Sequence, residues 1–421
     1  MKAVIVGGGL SGCTMAYLLR KQGYDVTIIE KNPWIGGLCK TFHEGENKYE
    51  FGPHVLHSDK PRVTEFVKKL AHLRETRFKA KACPFNSIDK LYDYPLTVSN
   101  ILRLDNPEDI IWELYALNPE KLDGRNFESY VISMIGPTLY SIFIKNYNKK
   151  QWGVDPAQMS AMWAPKRIVF SKNNDTPFHQ MWSVYPPDGY DGFFSNLTKG
   201  VRIVRGSFQS LKIRGNTVEA VILDGGSCVE GELFVSSIPL DSLLNSYERL
   251  VYRGIYKSFI QIKRRRLIDD LWYTFPNHYN FTRIVEYKGY NFEDNDTTIV
   301  SAAFPFDSGE VDRVPEQSYG LEFRSALQHL FMVHKGELLS QFGMKDAYSY
   351  PVITDNSERL FRTLIGQLAG FENLFSVGRL GLFVYIPMYI CISQCLKLIE
   401  LIESYHTLST EQRINKYLEI R

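Results

Sequence analysis

A glycine-rich turn between two short apolar strands is the feature that most constrains the fold of this chain. Residues Met1–Val6 are predicted to form a strand, and the turn Gly7-Gly8-Gly9-Leu10-Ser11-Gly12 follows with the spacing G-x-G-x-x-G. A helical run at Cys13–Lys21 and a second strand at Asp25–Ile29, which ends on Glu30, complete the unit. A strand, turn, helix and strand of this length is typical of dinucleotide-binding α/β domains.

Each part of this unit has a chemical reason to bind a dinucleotide. Glycines allow the backbone to approach a pyrophosphate, and the helix N-terminus offers N–H groups and the positive end of its dipole. Glu30 can accept hydrogen bonds from ribose hydroxyls, whereas the alternative is a glycine-rich turn without a ligand. The segment Trp34-Ile35-Gly36-Gly37, shortly after the acid, favours FAD over NAD. The cofactor-binding residues predicted in this region are Gly7, Gly9, Ser11, Gly12, Glu30, Lys31, Gly37 and Leu38.

Composition excludes several other classes of protein. The chain has 421 residues, 44% of them hydrophobic, which suits a globular enzyme and excludes a disordered protein. A net charge of +2 gives no bulk attraction to nucleic acid or to an anionic membrane, so neither is an expected partner. The six cysteines include no C-x-x-C pair and are expected to be free thiols without a metal site. With no recognisable signal peptide or long apolar run, the expected location is a reducing cytoplasm.

The order of the predicted elements indicates an α/β protein whose Rossmann-like FAD-binding domain is assembled from several segments. Helical patterns at Pro107–Leu117 and Phe127–Asn146 predict a helical insert lobe, and alternating residues at Val201–Pro239 predict a β-meander. Strand candidates at Tyr256–Lys263 and Thr298–Phe304 predict a second, mostly antiparallel sheet. The predicted boundaries are 1–97 for the first part of the FAD domain, 98–150 for the helical lobe, 151–200 for a mobile substrate loop and its return, 201–245 for the β-meander, 246–350 for the antiparallel-sheet substrate domain and 351–421 for the last part of the FAD domain with its C-terminal helices.

Motifs outside the glycine-rich turn are more specific. The segment 51–58 reads F-G-P-H-V-L-H-S, and the segment 143–153 reads F-I-K-N-Y-N-K-K-Q-W-G. Lys-Arg follows at 166–167 and Gly-Tyr at 189–190, and F-T-R-I-V-E and V-G-R-L-G stand at 281–286 and 377–381. On these motifs the chain resembles the UDP-galactopyranose mutase family, flavoenzymes that interconvert the pyranose and furanose forms of a nucleotide sugar, and the resemblance covers nearly the whole length.

The resemblance implies roles for individual residues. His54 would lie beside the flavin N5, and Phe143 and Tyr147 would enclose the uracil. Trp152 matches the tryptophan at the start of a mobile loop over the sugar, here Gln151–Pro187. Further implied contacts are Tyr190, Tyr350 and Tyr385 for the substrate and His54, Gly378 and Arg379 for the cofactor.

Two positively charged positions are implied for the diphosphate. Arg283 stands in the T-R-I-x-E motif, and Arg167 matches an arginine that swings in from the mobile loop. Arg167 is one residue further from the tryptophan than the family pattern places it, so Lys166 is the alternative. The catalytic residues predicted from the resemblance are therefore Arg167, Arg283 and His54.

The implied function is an isomerase that rearranges a nucleoside-diphosphate sugar for surface-glycan biosynthesis. Reduced flavin N5 would attack the anomeric carbon, with NAD(P)H as the reductant, and a homodimer is the expected assembly. Pro387 and Tyr389 replace two aspartates of the family, and Leu38 replaces an asparagine, which predicts a changed substrate. The alternatives are an FAD-dependent oxidase or desaturase of the amine-oxidase type and a non-catalytic nucleotide-sugar binder.

Overall fold

The parallel sheet of the dinucleotide-binding domain is built from separate parts of the chain. The computed structural model describes residues 1–76, 79–118, 120–161 and 182–421. Its first two strands are largely buried, as strands are when helices cover both faces of a parallel sheet. From edge to edge the strands are Arg202–Arg205, Asp25–Glu30, Lys2–Val6, Leu233–Ser236 and Leu374–Ser376. The predicted Rossmann-like domain assembled from several segments is confirmed.

Helices from both ends of the chain cover this sheet. The helix Leu10–Lys21 follows the glycine-rich turn directly and packs against Met388–Ser404. The last helix, Thr410–Ile420, begins where Ser409 accepts a hydrogen bond from the backbone N–H three residues on, and it packs against Asp355–Ala369. The C-terminal helices predicted for the last part of the FAD domain are confirmed.

A second sheet of seven strands carries the other half of the core. Its pairs are antiparallel, except that Trp272–Thr274 runs parallel to Ala80–Ala82. In order, the strands are Leu338–Pro351, Tyr252–Ile262, Thr298–Asp307, Arg283–Glu286, Trp272–Thr274, Ala80–Ala82 and Tyr92–Asp93. Two of these strands come from the segment predicted as FAD domain, so the boundary at residue 97 does not match the sheet. The helix Glu316–Phe331 packs against this sheet.

The predicted β-meander is divided between two sheets. Its first and last strands, Arg202–Arg205 and Leu233–Ser236, join the parallel sheet. The middle strands, Phe208–Arg214, Thr217–Leu223 and Cys228–Glu230, form a separate antiparallel sheet. Two smaller sheets lie near the N-terminal domain, and their strands are Thr41–Glu44 with Asn47–Glu50, and Leu56–Ser58, Trp182–Tyr185 and Arg74–Glu75.

The helical lobe is more broken than its periodicity predicts. The single helix predicted at 127–146 is wrong, because Gly136 takes φ +82° and Pro137 cannot donate a backbone hydrogen bond. A π-helical segment, Tyr140–Lys145, interrupts the remainder. The lobe consists of Val98–Ile101, Pro107–Ala116, Phe127–Ile135, Pro137–Leu139, Tyr140–Lys145 and Asn146–Trp152. Across the described ranges, no helix is both long and apolar enough to cross a membrane.

Candidate functional site

Two glycines of the glycine-rich turn differ in the space around them: Gly9 is open and Gly12 is tightly packed. Gly7 takes φ +100° and donates its N–H to the carbonyl of Ile29 at 2.9 Å. A Cβ on Gly9 would meet no atom within 4 Å, so a ligand can approach the backbone there. A Cβ on Gly12 would lie 1.9 Å from the Gly7 carbonyl oxygen, so only glycine allows the helix to start this close to the strand. The geometry fits the pyrophosphate of a dinucleotide.

Glu30 and the second glycine pair hold this turn in place. The Gly8 N–H donates to Glu30 Oε2 at 2.7 Å, and Asn32 donates to Oε1 from its backbone and its side chain. Gly36 donates its N–H to the Gly8 carbonyl at 2.8 Å, and a Cβ on Gly37 would lie 3.1 Å from Gly9 Cα. Glu30 is therefore already a buried structural acceptor, with lone pairs left for a ribose hydroxyl. Lys31 is exposed and Leu38 is half-buried beside this turn.

The C-terminal motif V-G-R-L-G packs against the start of the same helix. Gly378 takes φ +88°, and a Cβ there would lie 2.4 Å from Ser11 Oγ. Arg379 donates to the carbonyls of Ser349 at 3.2 Å and Ile386 at 2.8 Å. Its guanidinium lies 4.8 Å from the ring centroid of Tyr385. Ser11 and Gly378, which are almost 370 positions apart in the chain, thus lie together at the predicted cofactor site.

His54 lies between a carboxylate and a thiol. Its Nδ1 is 3.2 Å from Oε2 of Glu50, which is fully buried, and its side chain also contacts Cys39. Burial alone would lower the pKa of His54, but the contacts with Cys39 and Glu50 outweigh it and raise the pKa to about 10. His54 is therefore an imidazolium at neutral pH. Tyr190 is buried with its hydroxyl bonded to the His54 carbonyl oxygen, so it acts on the site through the backbone of His54.

Arg283 lies on a strand of the seven-stranded sheet and points into a group of tyrosines. Its Nη2 donates to the Tyr350 hydroxyl at 2.7 Å, while its Nε is buried without a partner. The electrostatic neighbours of Tyr147 include Arg283, Tyr350 and Tyr385, and burial raises the pKa of the Tyr147 hydroxyl. Lys257, which is also buried, donates to Ser301 Oγ at 3.2 Å, and burial followed by the charge of Arg283 lowers its pKa. In the described part of this region neither Arg283 nor Lys257 forms a salt bridge, and Arg283 carries the positive charge.

Three aromatic rings form a cluster beside Arg283. The centroids of Trp152, Tyr350 and Tyr385 lie 4.9–5.7 Å apart. Trp152 is buried and donates its indole N–H to Asn148 Oδ1 at 3.0 Å. Phe143 is buried against Tyr92, with ring centroids 5.4 Å apart. Phe143 and Trp152 therefore pack in the protein interior and support the site. Of Phe143 and Tyr147, the two residues predicted to enclose the uracil, Tyr147 is the more exposed.

Lys150 of the K-Q-W-G motif has a structural role that the sequence did not indicate. Its Nζ donates to the carbonyls of Phe275, Tyr279 and Phe281 at 2.6, 2.7 and 3.0 Å. These bonds hold the helix ending in Trp152 against the loop before Arg283. Glu50 was also missed, although an acid four residues before a motif histidine was a usable sign. The predicted residues Lys166 and Arg167, and residues 162–181 of the predicted loop, lie outside the described residues.

Comparisons with known proteins find similarity over nearly the whole chain. A family model described as UDP-galactopyranose mutase matches residues 142–326, and one described as an NAD(P)-binding Rossmann-like domain matches residues 5–70. A dTDP-fucopyranose mutase of Escherichia coli is 26% identical over 95% of this chain and 98% of that protein. A probable UDP-galactopyranose mutase of Klebsiella pneumoniae is 24% identical over 94% of this chain and 92% of that protein. The chain thus resembles the UDP-galactopyranose mutase family over nearly its whole length. It is an isomerase of the UDP-galactopyranose-mutase-like type.

The fold agrees with the same family. The crystal structure of reduced UDP-galactopyranose mutase superimposes with a TM-score of 0.82 at 18% identity, covering 100% of this chain and 98% of that one. The mutase family model begins at residue 142 and includes Phe143, Tyr147, Trp152 and Arg283. The motifs that carry the resemblance therefore lie inside the matched region or inside the alignments that cover nearly the whole chain.

Proposed function

We propose that this enzyme interconverts the pyranose and furanose forms of a nucleoside-diphosphate sugar with FAD as its cofactor. The supporting observation is a continuous path of contacts between the dinucleotide turn and Arg283. Ser11 meets Gly378, and the next residue, Arg379, lies over the ring of Tyr385. Tyr385 packs on Tyr350, whose hydroxyl accepts the hydrogen bond from Arg283. The predicted cofactor site around Ser11 and Gly378 and the half-buried Arg283 thus border one site.

Arg283 is the proposed diphosphate ligand. Its one side-chain hydrogen bond within the described residues goes to a neutral hydroxyl, and its Nε has no partner there. A half-buried cation without an anionic partner is costly to desolvate, so an anionic ligand would stabilise it. A guanidinium matches the paired oxygens of a diphosphate, and its charge favours departure of the diphosphate from the anomeric carbon.

FAD would be held by the turn at Gly7–Gly12, by Glu30 and Gly37, and by the segment that begins at Gly378. When bound and reduced, it supplies an electron-rich nucleophile, with NAD(P)H as the proposed reductant. The chain itself orients the sugar, binds the leaving diphosphate and keeps a proton on His54. We also propose that the segment after Trp152 is mobile and that Arg167 or Lys166 contributes a second positive charge for the diphosphate.

The proposed substrate class is a deoxy nucleotide sugar for a surface glycan. Tyr389 lies at the start of the helix Met388–Ser404, with its ring centroid 5.4 Å from that of His57. An aromatic ring at this position offers a less polar surface than the aspartate found there in the family. The name of the E. coli relative, dTDP-fucopyranose mutase, supports the same class, because fucose lacks the 6-hydroxyl of galactose.

The test compares nucleotide sugars with the enzyme reduced by dithionite under anaerobic conditions. We expect dTDP-fucopyranose to give a furanose product by chromatography and NMR, with a higher kcat/KM than UDP-galactopyranose. Turnover should require reduction but consume no reductant, because an isomerisation returns every electron. Steady NAD(P)H consumption in proportion to product, with no furanose formed, would favour the oxidase alternative.

A further inference from the structure

The carboxylate of Glu50 is the centre of a buried group of hydrogen-bond donors. Oε1 accepts from the Tyr185 hydroxyl at 2.7 Å and from the Thr41 hydroxyl at 3.1 Å. Oε2 accepts from the Tyr290 hydroxyl at 3.2 Å and from the backbone N–H of His54 at 3.1 Å. The His54 ring adds Nδ1 at 3.2 Å. The two carboxylate oxygens of Glu50 are thus the shared acceptors of this group of donors.

This arrangement determines which atom of His54 carries a proton. An ionised carboxylate only accepts hydrogen bonds, so Nδ1 must donate to Glu50. The other titratable groups in contact with His54 are the Cys39 thiol and the Tyr190 hydroxyl, and Tyr190 bonds to the backbone of His54. The contacts with Cys39 and with Glu50 both raise the pKa of His54, and Glu50 is the one whose carboxylate oxygen faces Nδ1, at 3.2 Å.

The position of Glu50 is also held from the second sheet. The Tyr287 hydroxyl donates to the Glu50 carbonyl at 2.7 Å and lies 3.0 Å from Ser301 Oγ, which accepts from Lys257. Glu50 is thus fixed by donors from the small sheets, from the strand at 182–185 and from the residues at 287–290. Because hydrogen bonds on several sides fix the Glu50 carboxylate, the carboxylate sets the orientation of the His54 imidazole.

We propose that Glu50 is a positioning residue that holds His54 as a cation with Nδ1 turned away from the flavin, and thereby favours the reduced form of the bound flavin. The inference rests on the proposed function, because it requires a flavin beside His54. A fixed positive charge next to the ring stabilises the negative charge that reduction adds. Glu50 acts through His54 and needs no contact with the substrate.

The experiment measures the protonation of His54 and the midpoint potential of FAD in the FAD-loaded protein. Nitrogen-15-labelled histidine gives a pair of ring-nitrogen signals for each of the nine histidines, and His54→Asn identifies the pair that belongs to His54. In wild type we expect protons on both ring nitrogens at pH 7. Glu50→Gln keeps the size of the side chain but removes its charge, so the proton affinity of His54 should fall about tenfold or more. The midpoint potential of the bound FAD should become more negative in the same variant.

The matched control is Glu286→Gln. Glu286 is an equally buried carboxylate that accepts hydrogen bonds from Thr298 and from the N–H groups of Leu267 and Ile268, away from His54. We expect it to leave the His54 signal and the potential unchanged. Equal shifts in both variants, or no shift in Glu50→Gln, would overturn the proposal. Should Glu50→Gln fail to fold, a neutral His54 with its proton on Nε2 in wild type at pH 7 would overturn it equally. These readouts need no turnover, so a failed mutase assay alone would count only against the proposed function.

Discussion

The guanidinium of Arg283 is joined to the hydroxyl of Tyr350 by a hydrogen bond of 2.7 Å, and this neutral group is the acceptor that the site offers it. No carboxylate lies within ion-pair distance of Arg283 among the described residues, and its Nε has no partner. The site therefore contains a pre-positioned cation whose charge is not neutralised by the protein, as a site for an anionic ligand requires.

Replacing Arg283 should remove transition-state stabilisation. For Arg283→Ala we expect kcat/KM to fall by about 30- to 1000-fold, or roughly 2–4 kcal/mol, because the leaving diphosphate loses its paired donors. Steady-state kinetics with the reduced enzyme measure the effect. Arg265→Ala is the control, since Arg265 is exposed and paired with Asp294 on the surface. A loss of less than threefold in Arg283→Ala would contradict the assigned role.

Two glycines of the turn should respond differently to substitution. Gly9→Val places its side chain in open space, so we expect a folded protein without flavin absorbance. Gly12→Ala brings a Cβ to 1.9 Å from the Gly7 carbonyl oxygen, so the fold itself should lose stability. Circular dichroism and the visible spectrum separate the two effects. A yellow Gly9→Val protein would mean that the cofactor does not lie over this glycine.

Lys150 should contribute to stability rather than to chemistry. Lys150→Met leaves three carbonyl acceptors at 275, 279 and 281 without their donor, which should lower the free energy of unfolding by about 3 kcal/mol. Lys149→Met is the matched control, because the neighbouring Lys149 is exposed. Denaturant unfolding of both variants gives the comparison, and equal stabilities would show that the three bonds contribute nothing net.

The charge of His54 should make stability depend on pH. Its pKa is about 10 in the folded protein against 6.5 for an ordinary histidine, so between these values the folded state holds a proton that the unfolded state has lost. The stabilisation is fully present below about pH 6.5 and is lost as the pH rises towards 10, by up to about 1.4 kcal/mol per pH unit. Unfolding measured from pH 6 to 10 should show this decline in wild type and a weaker one in His54→Gln. Parallel curves would mean that His54 is neutral in the folded protein.

Tyr389 should influence which sugar the enzyme prefers. Tyr389→Asp restores an acid at the start of the helix Met388–Ser404, so we expect kcat/KM for UDP-galactopyranose to rise relative to that for dTDP-fucopyranose. Tyr389→Phe keeps the ring beside His57 and serves as the control. The prediction fails if both variants keep the wild-type ratio of the two specificity constants.

Much of the fold and part of the site followed from local sequence. The glycine spacing at 7–12 predicted the dinucleotide turn, and the T-R-I-x-E motif singled out Arg283 before its surroundings were known. Strands at 80–82 and 92–93 were missed because they are two or three residues long, too short for periodicity to reveal. The break at Gly136 was missed because the apolar pattern continues through it, although Gly-Pro was visible in the sequence.

Glycine spacing within a few residues of one strand and helix is enough to specify where a dinucleotide can approach the backbone. The surroundings of Glu50, which faces His54 together with Tyr185 and Tyr290, and the three carbonyl groups that bind Lys150 depend instead on how distant parts of the chain fold together. These partners lie 125 to 240 residues away in the chain. Which donors surround a buried charge depends on how two sheets pack against each other, and a local sequence pattern carries no information about that packing.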